Sequence, residues 1–389
     1  MTGLGAPPGA RNNSSMCDRL NYVVDLFSGV GGLSLGAARA GFAVRAAVDI
    51  DRETLSAHQL NFPDVTHLSA SVAELKGQRL KTWLGLNDDL AGIIGGPPCQ
   101  GFSAIGHGNE DDERNELFVQ FFRVVSESHP RFYLAENVPG IMKPKNSAIR
   151  DRAFSLVANE YVMLPPMILS AADFGAPTTR KRVFFFGYLR HEMRPLTIRS
   201  FMPPVSSERV FVKDALRGLP KKINPCWQTE GQSWRIVRAD NGGYYSSRLH
   251  GHVPTRVGNQ LALQRLSNES RASGFLGTLH HSDVLARYAR IECGRSDRIS
   301  KSHRLDPNGY CPTLRAGTGP EKGSFQAVRP LHPTENRVIT PREAARLQGF
   351  PDWFQFSPTK WHSFRQIGSS VSPIVAEQIL AVIKGALKG

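Results

Sequence analysis

The sequence predicts an α/β fold built around a mostly parallel sheet. Short apolar strands alternate with amphipathic helices between residues 20 and 189, and the same pattern returns between residues 338 and 389. A glycine-rich turn joins the first strand to the first helix. Strands that alternate with helices of this length are joined by right-handed crossovers, which place neighbouring strands parallel. At 389 residues the chain is long enough for one large domain and one small domain.

The individual elements follow from apolar patterning and from the residues that end each run. Strands are predicted where short runs are apolar and β-prone, at residues 22–27, 43–48, 90–94, 132–135 and 183–188. Helices are predicted where apolar side chains recur at helical spacing, at residues 33–40, 53–61, 116–128 and 149–159. Gly41 ends the first of these helices, as glycine commonly does.

The C-terminal residues return to the helical pattern. A helix is predicted from Pro341 to Leu347, and apolar side chains between Val375 and Leu387 mark one face of a final helix. We expect the final helix to pack on the first part of the chain. Residues 20–189 and 338–389 would then form one domain, and residues 190–337 would be an insertion into it.

The positive charge of the chain is concentrated in that insertion. The chain carries 48 Lys and Arg against 34 Asp and Glu, a net formal charge of +14. Residues 190–337 contain 24 basic and 12 acidic residues, a net of +12, and the remainder contains 24 and 22, a net of +2. A basic excess indicates a polyanionic partner, for which nucleic acid and an anionic membrane are both candidates. Confinement of the excess to one irregular segment favours contact with DNA or RNA over a solvated basic surface.

Other features of composition indicate a reduced, cytosolic protein without a membrane span. No apolar run approaches the roughly 20 residues that a bilayer requires. Residues 1–19 are polar, lack the apolar core of a signal peptide, and are predicted to be a disordered tail. No pair of cysteines has Cys-x-x-Cys spacing, so neither a disulfide framework nor a metal site is predicted. The five cysteines are Cys17, Cys99, Cys226, Cys293 and Cys311.

The turn from Asp25 to Leu33 is a candidate cofactor-binding loop. Glycines let the backbone approach a ligand closely. Ser34 holds the third glycine position of the dinucleotide fingerprint, which argues against a nicotinamide cofactor. Asp49 follows 20 residues after Gly29, at the end of the second strand, where a carboxylate can bind both ribose hydroxyls. The pattern suits an adenosine ligand such as S-adenosylmethionine, and a tight structural turn is the alternative.

Cys99 is a candidate functional thiol. It follows the predicted strand at residues 90–94, in the run Gly95-Gly96-Pro97-Pro98-Cys99-Gln100-Gly101-Phe102-Ser103. The two prolines stiffen the chain before the cysteine, and the carboxyl end of such a strand lies where ligands bind in an α/β sheet. The alternative is a small buried hydrophobe, the usual fate of a lone cysteine. The local sequence favours the functional thiol.

Five motifs occur in the order found in one enzyme family. They are Asp-Leu-Phe-Ser-Gly-Val-Gly-Gly from Asp25, Pro-Pro-Cys-Gln-Gly-Phe-Ser from Pro97, Glu136-Asn137-Val138, Arg180-Lys181-Arg182 and Arg-Leu-Gln-Gly-Phe-Pro from Arg346. From about Asn21 onward the chain resembles DNA (cytosine-5)-methyltransferases of the bacterial restriction–modification type. The resemblance implies a Rossmann-like S-adenosylmethionine-dependent methyltransferase fold over residues 20–189 and 338–389. It also implies a smaller, irregular target-recognition domain, residues 190–337, inserted before the C-terminal helix.

The resemblance assigns the catalytic roles. Carbon 5 of cytosine is a poor nucleophile, and attack of a thiolate on carbon 6 makes it enamine-like and able to take a methyl group. Cys99 matches the family nucleophile. Glu136 matches the acid that protonates or hydrogen-bonds cytosine N3. Arg180 and Arg182 match the arginines that hold the base and orient the site.

The resemblance also implies the ligand contacts. Double-stranded DNA is the implied partner, with the target cytosine flipped out of the stack, and the polar loop at residues 104–116 is expected to close over it. DNA contacts are expected from Gln100, Ser103, Thr313 and Leu314. S-adenosylmethionine is expected to contact Asp25, Phe27, Ser28, Gly29, Gly31, Gly32, Leu33, Asp49, Ile50, Pro97, Leu117, Ser370 and Val371.

Some positions depart from the family pattern. Thr178 stands where Gln is usual, Ser71 replaces an acid that often contacts adenine, and Ile50 replaces an aromatic residue. The family's Gly-Asn-x-Val-Pro is Gly-Ser-Ser-Val-Ser from Gly368. These changes spare the four catalytic residues, so an active enzyme is predicted.

The leading hypothesis is a sequence-specific DNA methyltransferase that protects host DNA from a cognate restriction endonuclease. Two alternatives to it stay open. One is an RNA cytosine methyltransferase of related sequence, against which the large basic insertion argues. The other is a DNA-binding protein without turnover, against which the retention of Cys99 and Glu136 argues. One target base per turnover permits a monomer, and a cytoplasmic protein associated with the nucleoid is expected.

Overall fold

A mixed sheet of eight strands forms the centre of the molecule. The computed structural model describes residues 21–85, 90–98, 113–205, 207–238, 243–316 and 329–388. The elements up to the end of the sheet are β1 (Tyr22–Leu26), α1 (Gly32–Arg39), β2 (Ala43–Asp49), α2 (Arg52–Asn61), β3 (Thr66–Ser69), α3 (Gly77–Leu84), β4 (Leu90–Gly95), α4 (Glu113–Ser128), β5 (Phe132–Asn137), α5 (Ser147–Ser155), β6 (Tyr161–Met163), β7 (Met167–Ser170) and β8 (Lys181–Leu189).

The strand order places the carboxyl ends of three strands at one edge. The order is β3-β2-β1-β4-β5-β8-β6, and β7 also pairs with β8. The strands β3, β2, β1, β4 and β5 run parallel, whereas β8 is antiparallel to β5, β6 and β7. The chain leaves β1 toward β2 on one side and returns to β4 on the other. Ligands of open α/β sheets bind outside the carboxyl ends of the strands at such a reversal.

The remaining elements are short until the C-terminal helices. They are α6 (Val212–Leu216), β9 (Arg235–Ile236), α7 (Tyr244–His250), α8 (Gln260–Glu269), β10 (Arg271–Ala272), α9 (Ser282–Ala289), α10 (Pro341–Gln348), α11 (Lys360–Ser369) and α12 (Pro373–Ala386). The strands β9 and β10 pair into a small antiparallel ribbon. This ribbon has its own apolar cluster, formed by Leu219, Val237, Ala272 and Phe275. In the part of residues 190–337 that the structure describes, the helices and strands are therefore short and joined by irregular segments.

Apolar side chains cover both faces of the central sheet. On one face Leu35 and Ile379 of the helices α1 and α12 belong to the same buried cluster as Phe184 of β8. On the other face Phe118 and Phe122 of α4 belong to the buried cluster that includes Tyr133 of β5. The strands β4 and β5 are buried along their whole length, which explains why the sequence shows them as continuous apolar runs.

The final helix packs on the first helix, as the sequence predicts. A Cβ added to Gly36 of α1 would overlap the side chain and backbone of Ala376 in α12. The two helices therefore approach closely because glycine and alanine face each other. This contact joins the C-terminal part of the chain to the first βα unit.

Several boundaries and short elements differ from the sequence predictions. The helix predicted at residues 149–159 begins and ends earlier, at Ser147–Ser155. Glu136 lies within β5 rather than after it, because pairing with β8 extends the strand through Asn137. The strands β3, β6 and β7 and the helix α3 were not predicted. The predicted tail at residues 1–19 lies outside the described residues.

One helical stretch resembles a membrane span by length and composition. Within the described ranges, Lys360–Ala386 passes that test, but 72% of its most apolar window is buried inside the protein. The stretch consists of α11 and α12, which Ser370, Val371 and Ser372 separate. Its apolar character is accounted for by packing against the sheet and α1.

Candidate active site

The carboxyl ends of β1, β4 and β5 lie side by side. Leu26 is in register with Gly95, and Gly95 is in register with Ala135. The glycine-rich turn, the Pro97-Pro98 segment and Glu136 therefore begin at one edge of the sheet. The Asn137 side chain donates a hydrogen bond of 3.3 Å to the Pro97 carbonyl, which ties β5 to the segment that leads to Cys99.

The glycines of the turn have different structural roles. Gly29 has a φ of +54°, and a Cβ added to it would meet no described atom within 4 Å. Gly31 has a φ of +101°, and its Cβ would lie 2.6 Å from the Phe62 ring. A Cβ on Gly32 would overlap Ser370 and the Val371 carbonyl. Gly31 and Gly32 therefore permit close packing, whereas Gly29 borders open space at the strand ends.

Asp49 holds the end of β2 against this turn. Its Oδ2 accepts a hydrogen bond of 2.9 Å from the Gly29 N–H, and its Oδ1 accepts one of 2.9 Å from the Asp51 N–H. Burial raises the pKa of Asp49, and these two backbone donors partly offset the rise. Each carboxylate oxygen keeps acceptor capacity for a ligand hydroxyl. The next residue, Ile50, exposes 73% of its surface, so an apolar side chain stands beside the carboxylate.

Asp25 lies beneath the turn in a chain of buried polar side chains. Its exposure is 0%, and its Oδ2 accepts a hydrogen bond of 2.6 Å from Ser34 Oγ. His58 Nε2 lies 3.0 Å from Ser34 Oγ, and His58 Nδ1 lies 2.9 Å from His67 Nε2. Burial raises the pKa of Asp25 to about 7. Sequence reasoning missed both histidines, because nothing in their spacing marks them as partners of Asp25.

Glu136 and Arg182 form a largely buried ion pair beside the Pro97-Pro98 segment. Arg182 Nε lies 2.6 Å from Glu136 Oε1, and the two side chains are 15% and 9% exposed. Register explains the pairing, because Glu136 is opposite Phe184 and Arg182 is the diagonal neighbour on the same face. Burial raises the pKa of Glu136, although Arg182 and Arg180 pull it down. A Cβ on Gly96 would lie 3.2 Å from Glu136 Oε2, so a side chain at this position would crowd that oxygen.

Arg180 binds main-chain atoms from two distant segments. Its Nη1 donates a hydrogen bond of 3.1 Å to the Leu314 carbonyl, and its Nη2 donates one of 3.2 Å to the Ser369 carbonyl. The side chain is buried, at 2% exposure. Arg180 therefore fixes the positions of two chain segments next to Arg182. Of the pair predicted to contact DNA, Thr313 is exposed and Leu314 is buried.

The profile of C-5 cytosine-specific DNA methylases matches residues 22–385. The chain belongs to this family. It is therefore a DNA (cytosine-5)-methyltransferase, which confirms the resemblance read from the motifs. The mixed sheet with its parallel β3-β2-β1-β4-β5 half agrees with the Rossmann-like methyltransferase fold that the resemblance implied.

Relatives of known type are similar over nearly the whole chain. The Type II methyltransferase M.XorII of Xanthomonas oryzae pv. oryzae is 37% identical over 94% of this chain and 85% of its own length. The Type II methyltransferase M.DdeI of Desulfomicrobium norvegicum is 33% identical over 92% of this chain and 87% of its own length. These similarities support a methyltransferase of the restriction–modification type.

Solved structures agree with the fold. A prophage-encoded protein from E. coli, described as a DNA modification methyltransferase, has a TM-score of 0.85 and 50% identity, covering 94% of this chain and 98% of that chain. The Dnmt2 methyltransferase of S. pombe has a TM-score of 0.57 at 16% identity, covering 93% of this chain and 96% of that chain. The second similarity concerns the fold alone.

Several predicted site residues of this methyltransferase lie outside the described part. Cys99, Gln100, Ser103 and the loop at residues 104–112 belong to this group, and the described chain stops before them at Pro98. The other predicted cofactor contacts differ in exposure. Pro97, Ser28 and Val371 are buried, whereas Phe27, Leu117 and Ser370 are partly exposed. No group of three or more metal-ligating side chains occurs among the described residues.

Proposed function

We propose that the protein methylates carbon 5 of a flipped-out cytosine within a specific double-stranded DNA sequence, through a covalent bond between Cys99 and carbon 6. The single observation that carries this proposal is the buried pair of Glu136 and Arg182 beside the Pro97-Pro98 segment. A buried carboxyl with a raised pKa, next to a fixed guanidinium, suits recognition of the cytosine ring.

The residues at the strand ends fit S-adenosylmethionine. Gly29 borders open space, Asp49 presents its carboxylate there, and Ile50 exposes an apolar surface that suits the face of an adenine ring. Because this ligand carries no pyrophosphate, its site does not require a helix N-terminus that binds that group. When bound, S-adenosylmethionine supplies the electrophilic methyl group. The residues of the turn would orient it toward the edge where β4 and β5 end.

Glu136 activates the base in this proposal. In its protonated form the carboxyl donates a hydrogen bond or a proton to cytosine N3, which withdraws electrons from carbon 6. Arg182 holds the carboxyl in place and contributes a second donor for the base. The thiolate of Cys99 then forms a bond to carbon 6, and the electron pair moves toward carbon 5 and N3. After methyl transfer, which leaves S-adenosylhomocysteine, water accepts the carbon 5 proton. The electrons of that C–H bond restore the double bond between carbons 5 and 6, the Cys99 thiolate leaves, and N3 gives its proton back to Glu136.

The insertion at residues 190–337 is proposed to recognise the DNA. Its net charge of +12 favours a phosphate backbone, whose neutralisation releases counterions. Thr313 is exposed on the segment that Arg180 holds next to the catalytic pair. Similarity to Type II methyltransferases supports a role in protecting host DNA from a cognate restriction endonuclease. We also propose that the protein acts as a monomer, in the cytoplasm and on the nucleoid.

A covalent trap tests this proposal. DNA amplified with 5-fluorodeoxycytidine triphosphate lacks the carbon 5 proton whose loss releases the enzyme. With S-adenosylmethionine, the wild-type protein is expected to form a denaturation-resistant adduct, and Cys99→Ala is expected to form none. Cys226→Ala is the matched control, because Cys226 is an exposed free thiol outside the site. An adduct that persists in Cys99→Ala, or its absence from the wild type, contradicts the proposal.

A further inference from the structure

A short hairpin lies within the basic insertion. Three backbone hydrogen bonds join its arms: Gly294 N–H to the Arg304 carbonyl at 2.9 Å, Arg304 N–H to the Arg295 carbonyl at 2.8 Å, and Asp297 N–H to the Ser302 carbonyl at 2.8 Å. We call residues 294–304 the recognition hairpin. It follows α9 directly and precedes the segment that Arg180 holds at the active site.

The base of the recognition hairpin is anchored to the domain. Arg304 is buried, at 4% exposure. Its Nη1 donates hydrogen bonds of 2.9 and 3.1 Å to the carbonyls of His332 and Glu335. Its Nη2 donates a bond of 2.7 Å to the Tyr288 carbonyl in α9. The hairpin is thereby fixed to two neighbouring segments at its stem.

The tip of the hairpin is braced from within. Asp297 is only 3% exposed and accepts hydrogen bonds of 2.7 Å from both the N–H and the hydroxyl of Ser300. Arg287 of α9 places its Nε 3.0 and 3.2 Å from the two Asp297 oxygens. Lys301 adopts a φ of +60°, a left-handed conformation that surrounding structure must hold in place for a residue with a Cβ. The tip is therefore preorganised before any partner binds.

The hairpin carries three exposed cations and one exposed aliphatic side chain: Arg298, Ile299 and Lys301 lie at the tip, and Arg295 lies on the first arm beside the stem. Arg295, Arg298 and Lys301 are exposed, and within the described ranges none of them forms an ion pair. Ile299 between them is 64% exposed, although its Cβ branch and apolar surface make it a typical core residue. Among the described residues of the insertion, none pairs with the three cations, so the hairpin points to an external polyanion with an apolar feature.

The major groove of duplex DNA fits this arrangement. It admits a two-stranded ribbon, arginine pairs with the O6 and N7 atoms of guanine, and apolar side chains contact the thymine methyl group. Phosphates line both sides of the groove and suit lysine and arginine on the flanks. An anionic membrane would satisfy the charges but offers no reason for an internally braced tip of defined geometry.

We propose that the recognition hairpin enters the major groove of the target, where Arg298 and Ile299 read base edges and Arg295 and Lys301 bind phosphates. This inference rests on the proposed function, because it takes duplex DNA as the substrate. It adds to that function the side chains that select the DNA target sequence. Asp297 and Arg287 are positioning residues, since they hold the tip without facing outward.

Two substitutions distinguish base reading from phosphate binding. Arg298→Ala is expected to reduce the ratio of kcat/KM between the cognate site and a site with one base pair changed by roughly 5- to 100-fold. Lys301→Ala is expected to weaken binding to all sequences alike, with the slope of log Kd against log salt concentration reduced by about 1. Arg199→Ala is the matched control, because Arg199 is an exposed arginine elsewhere in the insertion.

Bisulfite sequencing of a host genome that expresses each variant gives the readout. Wild type and Arg199→Ala are expected to methylate one motif, and Arg298→Ala a relaxed set that differs at one base pair. If a variant has the same thermal melting temperature as the wild type, a change in its methylation pattern does not come from misfolding. Motif-specific methylation that is unchanged in Arg298→Ala overturns the hairpin assignment and leaves the proposed function intact. Absence of wild-type methylation overturns the proposed function and the assignment with it.

Discussion

Glu136 on β5 and Arg182 on β8 meet across an antiparallel strand pair, with Arg182 Nε 2.6 Å from Glu136 Oε1. This contact depends on the antiparallel edge of the sheet, since β8 must run against β5 to bring its first residues beside the carboxyl end of β5. The ion pair at the proposed active site therefore depends on the direction of β8 in the sheet. Both side chains are largely removed from water, so their charges interact more strongly than those of a surface pair.

Replacement of Glu136 by glutamine tests the proton at this site. Glutamine keeps a similar shape and can donate a hydrogen bond, but it cannot transfer a proton to cytosine N3. We expect kcat to fall by about 10²- to 10⁴-fold, the range typical of a lost general acid, with DNA affinity retained. Single-turnover methylation and a filter-binding assay measure the two quantities. A Glu136→Gln protein with wild-type kcat would show that this carboxyl carries no proton in the rate-limiting step.

Loss of Arg182 changes the pH dependence in a defined direction. Burial raises the pKa of Glu136, and Arg182 lowers it by stabilising the carboxylate. In Arg182→Gln the pKa of Glu136 therefore moves further up. If the protonated carboxyl is the active form, activity declines as pH rises through this pKa, and the decline shifts to higher pH in the variant. A profile of kcat/KM against pH measures the shift, and a shift to lower pH contradicts the assignment.

The sequence predicts this site in outline but not in its contacts. The motifs locate Glu136, Arg180 and the glycine-rich turn because each adjoins a long apolar strand whose pattern is unambiguous. The strands β6 and β7 have three and four residues, too few to show a period. The sequence therefore does not predict these two strands. It also does not predict the antiparallel pairing of β5 with β8 that brings Arg182 to Glu136, because that pairing depends on long-range contacts that no local pattern encodes.

Buried polar contacts were the least predictable feature. The sequence associates Arg180 with the base, whereas two of its nitrogen atoms bind the Leu314 and Ser369 carbonyls. Backbone acceptors leave no trace in the identity of the residues that carry them. The same holds for the chain from Asp25 to His58, in which Ser34 is the link. In the sequence, the position of Ser34 within the glycine pattern indicates only that the turn does not suit a nicotinamide cofactor.

Arg180 is expected to act on the position of the Thr313 segment. Arg180→Ala leaves the Leu314 carbonyl, which is buried, and the Ser369 carbonyl, which is partly buried, without this donor. An unsatisfied buried group costs about 1–3 kcal/mol, and the partly exposed one costs less because water can reach it. We expect a lower melting temperature and a raised KM for DNA, since the segment from Cys311 to Leu314 loses one anchor. Arg199→Ala, an exposed arginine, serves as the control for loss of charge. Unchanged stability in Arg180→Ala would show that other contacts hold this segment.

Asp25 makes stability depend on pH with a known sign. Burial raises the pKa of Asp25 from 3.8 to about 7, so the folded state favours the protonated carboxyl. The unfolded state loses this proton near its ordinary pKa, and stability is therefore lost between about pH 4 and pH 7 as the pH rises. Asp25→Asn cannot ionise and escapes this loss. We therefore expect the difference in free energy of unfolding, variant minus wild type, to rise by up to about 4 kcal/mol from pH 4 to pH 8. Urea denaturation at each pH measures this difference. A difference that does not vary with pH contradicts the raised pKa.

Two glycine substitutions separate packing from ligand binding in the turn. Gly31→Ala places a Cβ 2.6 Å from the Phe62 ring at a φ of +101°, so the folded state loses stability whether or not a ligand is present. Gly29→Ala adds a Cβ where no described atom lies within 4 Å, at a φ of +54°, which costs only about 1–2 kcal/mol of backbone strain. That Cβ enters the space proposed for S-adenosylmethionine. We therefore expect Gly29→Ala to weaken cofactor binding at least tenfold in calorimetry while melting close to wild type. The opposite ranking, with Gly29→Ala the less stable protein and the tighter binder, would place the cofactor elsewhere.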